Sequence, residues 1–555
     1  MTTPEWTSNG APSSPPTPGL SPSVVKHPAA PTMPDPEPTT IAQQIMQLAS
    51  GNGTPSPPLV PQPPISTLPS SSLASPSLAV APAAASPFFM PLQFSVLPDL
   101  SAIFGTMSFP LVDAPQAQAQ PQTPNAPDIR TDSLTLDPAL PKSSQPRGAF
   151  DPHFVRAEFP ILKERVNGRE IVWLDNAATT QKPQTVLDRL SHFYAHENSN
   201  VHRAAHTLAA RATTAYENAR AIVAGFLNAR SSRDIVFVRG ATEGINLVAK
   251  SWGARHVGEG DEIVITHLEH HANIVPWQML CNDKKAKLRV APVDDRGQII
   301  LDEYEKLLGP RTKLVSFSQV SNALGTITPA KAMVDMAHRH GAKVLVDGAQ
   351  AVSHMPVDVQ GLDCDFYAFS GHKVFAPTGI GVVFGKSELL DGTPPWQGGG
   401  NMIQDVTFER TTYQPAPARF EAGTGNIADA VGLGAALEWL SALGLQNVER
   451  YEHELLEYAT GKLLSVPGLH IIGTAAEKAG VISFILDGQK TEELSGLLDR
   501  EGIAVRSGHH CAQPILRRFG VEATVRASLA PYNTVDDVDA LCAALHRLQA
   551  GRPVR

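Results

Sequence analysis

Beyond residue 148 the chain alternates between short apolar runs rich in β-branched residues and longer stretches whose apolar residues recur every three or four positions. The short runs predict β-strands, which in chain order cover residues 171–174, 235–238, 262–266, 288–292, 313–318, 343–346 and 365–369. The longer stretches predict helices over residues 244–252, 277–283 and 330–340. This alternation predicts an α/β fold with a mainly parallel sheet, whose ligands bind at the carboxyl ends of the strands.

The pattern changes near residue 425. Residues 426–443 predict a long apolar helix, and after it come a helix, a strand over 481–486, a helix over 491–501 and a closing helix over 535–548. The 405 residues after position 150 exceed the roughly 250–300 residues at which a single hydrophobic core stops growing. We therefore predict a large domain over residues 165–425, and a smaller α+β domain formed by residues 426–555 together with 149–164.

The first 148 residues have a different composition. Residues 1–150 contain 31 of the 48 prolines, and no Lys, Arg, Asp or Glu occurs between residues 39 and 98. Proline interrupts regular backbone hydrogen bonding, and the segment has little apolar periodicity to offset the loss of chain entropy. We predict a largely disordered extension, in which residues 39–50 and 96–107 have the spacing of short helices.

Charge and cysteine content exclude several classes of protein. A net charge of −9 argues against a general nucleic-acid surface, and four cysteines in 555 residues form neither a disulfide framework nor a CxxC metal site. The N-terminus lacks a secretory signal, and four prolines interrupt the uncharged stretch at residues 73–94. We expect a cytoplasmic protein without a resident metal, a membrane span or a nucleic-acid partner.

Two polar residues follow apolar strands at positions suited to cofactor chemistry. Lys373 lies in a tight turn after the strand at 365–369, and Asp347 ends the strand at 343–346, with Gln350 just beyond. A desolvated lysine forms Schiff bases, and a carboxylate paired with a pyridine nitrogen turns pyridoxal phosphate into an electron sink. Singly, the lysine is more often a surface charge and the aspartate a helix cap or metal ligand. Together they favour the cofactor.

Two further strand ends carry candidate groups. The turn Arg239–Glu243 contains Gly240 and Thr242 and precedes a helix, so that free N–H groups face an anion, although many strand-to-helix turns contain glycine. His270 and His271 follow the strand at 262–266 and point in different directions from an extended backbone. We expect one histidine to stack over a cofactor ring and relay protons, and we do not expect shared metal ligation.

The C-terminal part contains a candidate nucleophile and a candidate carboxylate ligand. Cys511 follows two histidines in a loop close to Arg506, and basic neighbours favour the reactive thiolate. Most free cysteines are buried and inert, and the apolar surroundings of Cys281, Cys364 and Cys542 predict that state. Arg526 lies among small residues, where it could clamp a substrate carboxylate or form a buried ion pair.

In their order along the chain, these motifs resemble the pyridoxal-phosphate-dependent cysteine desulfurases of the SufS-like group, which includes selenocysteine lyases and belongs to the class-V aminotransferases. The resemblance spans about residues 149–550 and rests on LDNAATTQKP, NVHRAAHTLA, FVRGATEGINLVA, EHHANIVPWQ, VSNALGT, VDGAQAV, SGHKVFAPTGIG, RFEAGTGN, RSGHHCAQP and RASLAPYNT. It implies the type I fold of pyridoxal-phosphate enzymes, with a mainly parallel seven-stranded sheet.

The resemblance also implies a role for individual residues. Lys373 resembles the lysine that binds the cofactor covalently, Asp347 the partner of the pyridine nitrogen, Gln350 the contact to the phenolic oxygen, and His270 the acid or base stacked on the ring. The phosphate ligands implied are Ala241, Thr242, Ser370 and His372, with Thr424 reaching the phosphate of the other protomer in a homodimer. The substrate-binding residues implied are Asn322, Arg506, Arg526, His202 and Arg203, and Cys511 would accept sulfur.

The chain departs from the family pattern at RGATE, where the family often has RGTTE, and at GTGN, where it often has GTPN. Backbone N–H groups would still bind the phosphate. The implied reaction converts L-cysteine to L-alanine and leaves a persulfide on Cys511. Because the loop around Cys511 is short, a SufE- or SufU-like acceptor protein would carry the sulfur to iron-sulfur cluster assembly.

Three alternatives stay open at this point. Selenocysteine lyase and cysteine-sulfinate desulfinase are reactions of the same fold, and L-selenocysteine is an alternative substrate. A scaffold that recruits partners through the proline-rich extension belongs to a different class, and failure to bind pyridoxal phosphate would favour it.

Overall fold

The computed structural model describes residues 150–201 and 206–551. The proline-rich extension, with the helices predicted at 39–50 and 96–107, lies outside the described residues. So do His202 and Arg203.

The strands within the described residues are mostly short. In chain order they are β1 (Arg165–Val166), β2 (Arg169–Glu170), β3 (Val172–Trp173), β4 (Ile235–Val238), β5 (Glu262–Thr266), β6 (Lys287–Ala291), β7 (Thr312–Ser318), β8 (Lys343–Asp347), β9 (Phe366–Ser370), β10 (Gly381–Gly385), β11 (Ile403–Val406), β12 (Thr411–Tyr413), β13 (Leu469–Ile472), β14 (Val481–Leu486), β15 (Ile503–Ala504), β16 (Arg506–Gly508) and β17 (Thr524–Ser528).

The helices range from a single turn to 20 residues. In chain order they are α1 (Pro152–Ala157), α2 (Gln184–His196), α3 (Thr207–Phe226), α4 (Ala241–Val248), α5 (Ala254–His256), α6 (Val275–Lys284), α7 (Leu301–Lys306), α8 (Ala330–Arg339), α9 (Val359–Leu362), α10 (Ser387–Asp391), α11 (Ile427–Leu443), α12 (Leu445–Leu464), α13 (Thr491–Arg500), α14 (Gln513–Arg518) and α15 (Val535–Gln549).

The central sheet has seven strands in the order β4-β10-β9-β8-β7-β5-β6. The pairs from β9 to β6 are parallel, and β10 runs antiparallel to both of its neighbours. Strands β4, β5, β9 and β10 are buried along their whole length, as expected for a sheet covered on both faces. The predicted mainly parallel seven-stranded sheet is confirmed.

The membership of this sheet differs from the sequence prediction at one position. The apolar run at 171–174 contributes only the two-residue strand β3, which pairs in parallel with β15 near the C-terminus. The seventh strand of the sheet is β10, which follows the glycine-rich segment after Lys373. Strand β3 pairs instead with the equally short β15, and the two form a separate two-stranded sheet.

Register places several polar residues along one edge of the central sheet. Strands β7 and β8 end at the paired residues Ser318 and Asp347, β5 ends at Thr266, and β9 ends at Ser370. The carboxyl ends of parallel strands meet at the same edge. The fold therefore brings these four residues together although 104 positions separate the first from the last.

A second, antiparallel sheet has the order β13-β14-β17-β16. Its apolar side chains, among them Phe484 and Val525, form a hydrophobic cluster with residues of α12, α13 and α15. Strand β17 carries Arg526, and β16 leads to the loop of Cys511. The boundaries drawn at residues 165 and 426 for two domains stay a prediction.

Helix α11 is buried on nearly all sides and packs against α2 and α3. Within residues 150–201 and 206–551, no single helix is long and apolar enough to cross a membrane. Only α11 and α12 together reach the required length and hydropathy, and their axes are bent by 73°.

Candidate active site

Lys373 ends a single 3-10 turn, Gly371–Lys373, that follows β9 directly. Burial removes water from the ammonium group and lowers the pKa of Lys373 to about 8, although the nearby carboxylate of Asp347 acts in the opposite direction. A substantial fraction of this amine is therefore neutral near physiological pH. The neutral amine is the form that attacks a carbonyl group.

Asp347 is the last residue of β8, the strand beside β9. Its side chain is buried, and one carboxylate oxygen accepts a hydrogen bond from the backbone N–H of Ala349 at 3.0 Å. Burial raises the pKa of Asp347, whereas this hydrogen bond and the charge of Lys373 oppose the rise. Gln350 is buried one turn further on, where its amide nitrogen donates to the carbonyl of Ala177 at 2.6 Å.

His270 caps a short turn, because its Nδ1 accepts a hydrogen bond from the N–H of Ala272 at 3.0 Å. Burial, reinforced by the charge of Lys373, lowers the pKa of His270 to about 3. The imidazole is therefore neutral, and since Nδ1 accepts a hydrogen bond, the ring proton is assigned to Nε2. Nε2–H is the group that remains for proton exchange.

Glu269, the residue before His270, is fully buried and was missed by the sequence analysis. Its carboxylate accepts hydrogen bonds from the hydroxyl of Thr266 at 2.5 Å, the amide of Asn273 at 2.6 Å and the hydroxyl of Ser318 at 2.7 Å. Burial raises the pKa of Glu269 to about 7 against these hydrogen bonds. The network ties the end of β5 to the end of β7 and fixes the backbone that carries His270.

A cavity of about 510 Å³ opens where β4 ends and α4 begins. Three of the predicted phosphate ligands, Thr242, Ser370 and His372, line this cavity together with two basic side chains and an indole. The complete lining is Arg239, Gly240, Thr242, Glu243, Asn246, Lys250, Ser370, His372 and Trp396. Burial lowers the pKa of His372 to about 4, so its imidazole is neutral. The predicted ligand Ala241 donates its backbone N–H to the hydroxyl of Ser370 at 2.8 Å, which joins the turn to β9.

Gly381 allows this turn to lie against the sheet. A Cβ atom at Gly381 would lie 2.5 Å from Cα of Gly240 and 2.6 Å from the carbonyl oxygen of Phe369. Both neighbours are backbone atoms, so a larger residue at position 381 would displace the turn.

Arg526 on β17 is 2% exposed, and it lies close enough to Lys373 and His270 to interact with them electrostatically. It donates to the carbonyl of Asn322 at 2.9 Å, and the amide of Asn322 donates to the carbonyl of His510 at 2.7 Å. Nε of Arg526 and Oδ1 of Asn322 are buried and have no hydrogen-bond partner among the described residues. Burial lowers the pKa of Arg526 to about 10, which leaves the guanidinium charged.

Arg526 also lies 3.4 Å from a carboxylate oxygen of Asp175, and Arg506 contacts the same carboxylate. The buried ion pair that the sequence left open therefore exists beside one unpaired donor, Nε, of the same arginine. Sequence analysis missed Asp175. The available signal was a carboxylate directly after an apolar run, the same signal that singled out Asp347.

Cys511 is exposed in the loop between β16 and α14. His510 and Cys511 both adopt left-handed backbone conformations, with φ of 52° and 54°. His271 donates its backbone N–H to the carbonyl of Cys511 at 2.7 Å, and Cys511 donates its own N–H to Nδ1 of His509 at 3.0 Å. The two adjacent histidines therefore separate, with His270 beside Lys373 and His271 beside the cysteine loop.

The thiol of Cys511 is close enough to Lys373, Arg506 and Arg526 to interact with their charges. The other three cysteines are buried, and burial raises the pKa of the Cys281 and Cys542 thiols to about 11. One thiol in the described chain is thus placed for reaction.

Thr424 does not line the cavity. Its hydroxyl lies 3.4 Å from Oδ1 of Asn200 on an exposed loop. Across the described residues, no group of three or more His, Cys, Asp or Glu side chains is arranged to hold a metal ion.

Comparison with known proteins agrees with this geometry. The chain is 67% identical over 428 residues to the cysteine desulfurase of Synechococcus elongatus, a match that covers 76% of this chain and 68% of that protein. It is 53% identical over 400 residues to the cysteine desulfurase of Klebsiella pneumoniae strain 342, with 72% of this chain and 98% of that protein covered. The crystal structure of the cysteine desulfurase CsdA from Escherichia coli superposes with a TM-score of 0.68 at 42% identity and covers 73% of this chain and 100% of that chain.

The profile of the family described as Aminotransferase class-V matches residues 172–541, which include the central sheet, Lys373 and Cys511. The chain belongs to the class-V aminotransferase family.

Proposed function

We propose that this protein is a pyridoxal-phosphate-dependent cysteine desulfurase that converts L-cysteine to L-alanine and retains the sulfur as a persulfide on Cys511. The carrying observation is that β8 and β9 pair side by side, which places Asp347 beside the turn of Lys373, and that His271 donates its backbone N–H to the carbonyl of Cys511 at 2.7 Å, which brings the thiol loop to the same place. An amine, a buried carboxylate and an exposed thiol thus share one site. Relatives named cysteine desulfurase, at 53–67% identity, support the assignment.

The residues of the site fit pyridoxal phosphate. The cavity at the start of α4 offers Thr242, Ser370 and the neutral His372, with Lys250 supplying positive charge for a phosphate, while Arg239 is paired with Glu243 at 3.2 Å. The indole N–H of Trp396, which lines the same cavity, is buried without a partner among the described residues. Ala241 contributes its position at the first turn of α4, where the helix dipole favours an anion.

At the other end of the cofactor, Asp347 would pair with the pyridine nitrogen, Gln350 would approach the phenolic oxygen, and Lys373 would bind covalently. When bound, pyridoxal phosphate supplies an electron sink for the substrate Cα. Lys373, whose pKa is about 8, removes a proton from that carbon once its amine is released. His270 exchanges protons through Nε2.

Arg526 and Asn322 bind the substrate carboxylate in this proposal. Nε of Arg526 is a buried donor without a partner in the described chain, and the guanidinium offers the charge-assisted hydrogen bonds that a carboxylate prefers. The amide nitrogen of Asn322 already donates to the carbonyl of His510, so the role of Asn322 toward the substrate rests on the resemblance. Arg506, half exposed beside the same site, adds a second positive charge. His202 and Arg203 are assigned to the substrate by resemblance alone.

The transfer of sulfur balances without an external oxidant. Sγ of Cys511, as the thiolate, forms a bond to the substrate sulfur while the bond between that sulfur and the substrate Cβ breaks. The electron pair of the broken bond stays on the carbon skeleton, which gains one proton at Cβ, regains at Cα the proton that Lys373 removed, and leaves as alanine. Cys511 ends as a persulfide.

The proposal extends to partners and location. Thr424 is exposed and lies outside the cavity of its own chain, as expected if it reaches the phosphate of the partner protomer in a homodimer. A SufE- or SufU-like acceptor would take the persulfide sulfur for iron-sulfur cluster assembly. We propose a cytoplasmic location, since a reducing compartment keeps Cys511 as a free thiol.

The test compares Cys511→Ala with a matched control, Cys542→Ala, which removes a buried thiol from α15. We expect wild-type protein and the control to form alanine from L-cysteine and to gain one sulfur atom by intact mass. Cys511→Ala should do neither while keeping the absorbance of bound cofactor. Alanine formation by Cys511→Ala would contradict the persulfide step, and if only L-selenocysteine is turned over, the selenocysteine lyase alternative replaces the proposal.

A further inference from the structure

The carboxylate of Asp175 joins Arg506 to Arg526, the two arginines proposed to face the substrate. Asp175 follows β3 and is 7% exposed. Arg506 contacts it through Nε, at 3.1 Å from both carboxylate oxygens, and through a terminal nitrogen at 2.8 Å. A terminal nitrogen of Arg526 lies 3.4 Å from Oδ1 of the same group.

Arg506 and Arg526 are both positively charged and repel each other, and the carboxylate of Asp175 offsets this repulsion. The pKa of Arg526 is lowered by its own burial and by the charge of Arg506, whereas the carboxylate of Asp175 counteracts both. Two positive charges and one negative charge leave one positive charge uncompensated. A monoanionic carboxylate entering beside Nε of Arg526 completes the balance.

The backbone around Asp175 is attached to the strand that carries Arg526. Asp175 forms a bridge with Ser528 of β17, the amide of Asn176 donates to the carbonyl of Ser528 at 2.6 Å, and Ala177 donates its N–H to the Ser528 hydroxyl at 2.9 Å. Asp175 and Arg526 are therefore held on one rigid unit. Arg506 belongs to β16, which pairs with β17 and places Arg506 directly opposite Arg526.

We propose that Asp175 is a positioning residue that holds Arg506 and Arg526 for the α-carboxylate of the amino-acid substrate, and so sets the preference for amino acids over carboxylate-free amines. This inference rests on the proposed function. It assigns no contact between Asp175 and the reacting atoms.

The test measures the equilibrium binding of two ligands to the holoenzyme by the change in cofactor absorbance. L-alanine has the α-carboxylate, and ethylamine lacks it. In Asp175→Asn we expect the Kd of L-alanine to rise at least about tenfold and that of ethylamine to change less than about twofold. Alanine formation should show a raised KM for L-cysteine with little change in kcat. Asp295→Asn, which removes an exposed partner of Arg518 at 2.7 Å, is the matched control.

Asp175→Glu retains the charge and should recover part of the L-alanine affinity, which a purely structural role would not produce. Circular dichroism and cofactor content establish that each variant is folded. Equal losses for both ligands, or an unchanged Kd for L-alanine, would overturn the role of Asp175. If wild-type protein binds both ligands equally, the substrate carboxylate does not bind at Arg526. That result would contradict the substrate placement in the proposed function itself, and not only the role of Asp175.

Discussion

Nδ1 of His354 lies 2.6 Å from a carboxylate oxygen of Glu452, and both side chains are buried. His354 follows the segment of Asp347 and Gln350, and Glu452 lies on α12. Burial disfavours the charged imidazole, but the carboxylate outweighs this effect and raises the pKa of His354. The pair joins the segment that follows Asp347 and Gln350 to helix α12.

Removing one partner of this pair should destabilise the protein strongly, because the other is left buried and uncompensated. We expect His354→Ala to lower the free energy of unfolding by about 3 kcal/mol, measured by urea denaturation. His453→Ala, which removes an exposed pair with Glu457 on the same helix, should cost less than about 0.5 kcal/mol. Equal losses in the two variants would contradict a special role for the buried pair.

Attachment of the cofactor should follow the titration of Lys373. Since the neutral amine reacts, the rate at which cofactor-free protein binds pyridoxal phosphate should rise with pH, with a midpoint near the pKa of about 8. The carboxylate of Asp347 raises that pKa, so Asp347→Asn should shift the midpoint to lower pH. Stopped-flow absorbance measures both, and a midpoint near the usual lysine value would argue against a desolvated amine.

His270 should act as a neutral group across the physiological range. Because its pKa is about 3, no step of the pH profile for alanine formation between pH 5 and 8 should depend on it. His270→Ala should reduce kcat by about 10²- to 10⁴-fold, the usual contribution of a positioned acid or base. The exposed His470 provides the control, and His470→Ala should leave kcat unchanged. A profile that loses an inflection near pH 6 in His270→Ala would mean that the histidine titrates.

Asp365 should contribute stability that disappears in acid. Burial alone would raise its pKa, but hydrogen bonding to His338 at 2.8 Å and the charges of Lys343 and Lys386 lower it. Because the pKa of Asp365 is lower in the folded state than the value of about 3.9 in the unfolded state, this carboxylate adds stability when the pH is above the unfolded-state pKa. That stability is lost as the pH falls through the folded-state pKa. The difference in unfolding free energy between wild type and Asp365→Asn should therefore shrink below about pH 4. A constant difference would refute this linkage.

Strand prediction succeeded where β-branched residues cluster. Residues 235–238, 262–266 and 481–486 have the same bounds in sequence and structure, because their apolar runs end at polar or glycine residues. Strands β11 and β12 are largely exposed, and β17 contains small residues and an arginine, so none of the three has a comparable pattern. Their pairing comes from tertiary contacts that local sequence does not encode.

The candidate site was predictable at Lys373 and Asp347, because each follows or ends a strand and its side-chain type alone suggests the chemistry. It was not predictable where function depends on partners distant in sequence. Asp175 meets Arg506 across 331 positions, and nothing near LDNAATT indicates that contact. Of the three donors to Glu269, Thr266 and Asn273 lie within four residues of it, whereas Ser318 reaches it only because β5 and β7 pair.

The close approach of Gly381 to Gly240 means that this enzyme can be inactivated without altering any side chain that reacts. A single added methyl group on β10 would meet the backbone of the turn Arg239–Glu243 at 2.5 Å. A substitution at position 381 would therefore displace the turn that carries Gly240 and Thr242 while the side chains of Lys373, Asp347 and Cys511 stay unchanged.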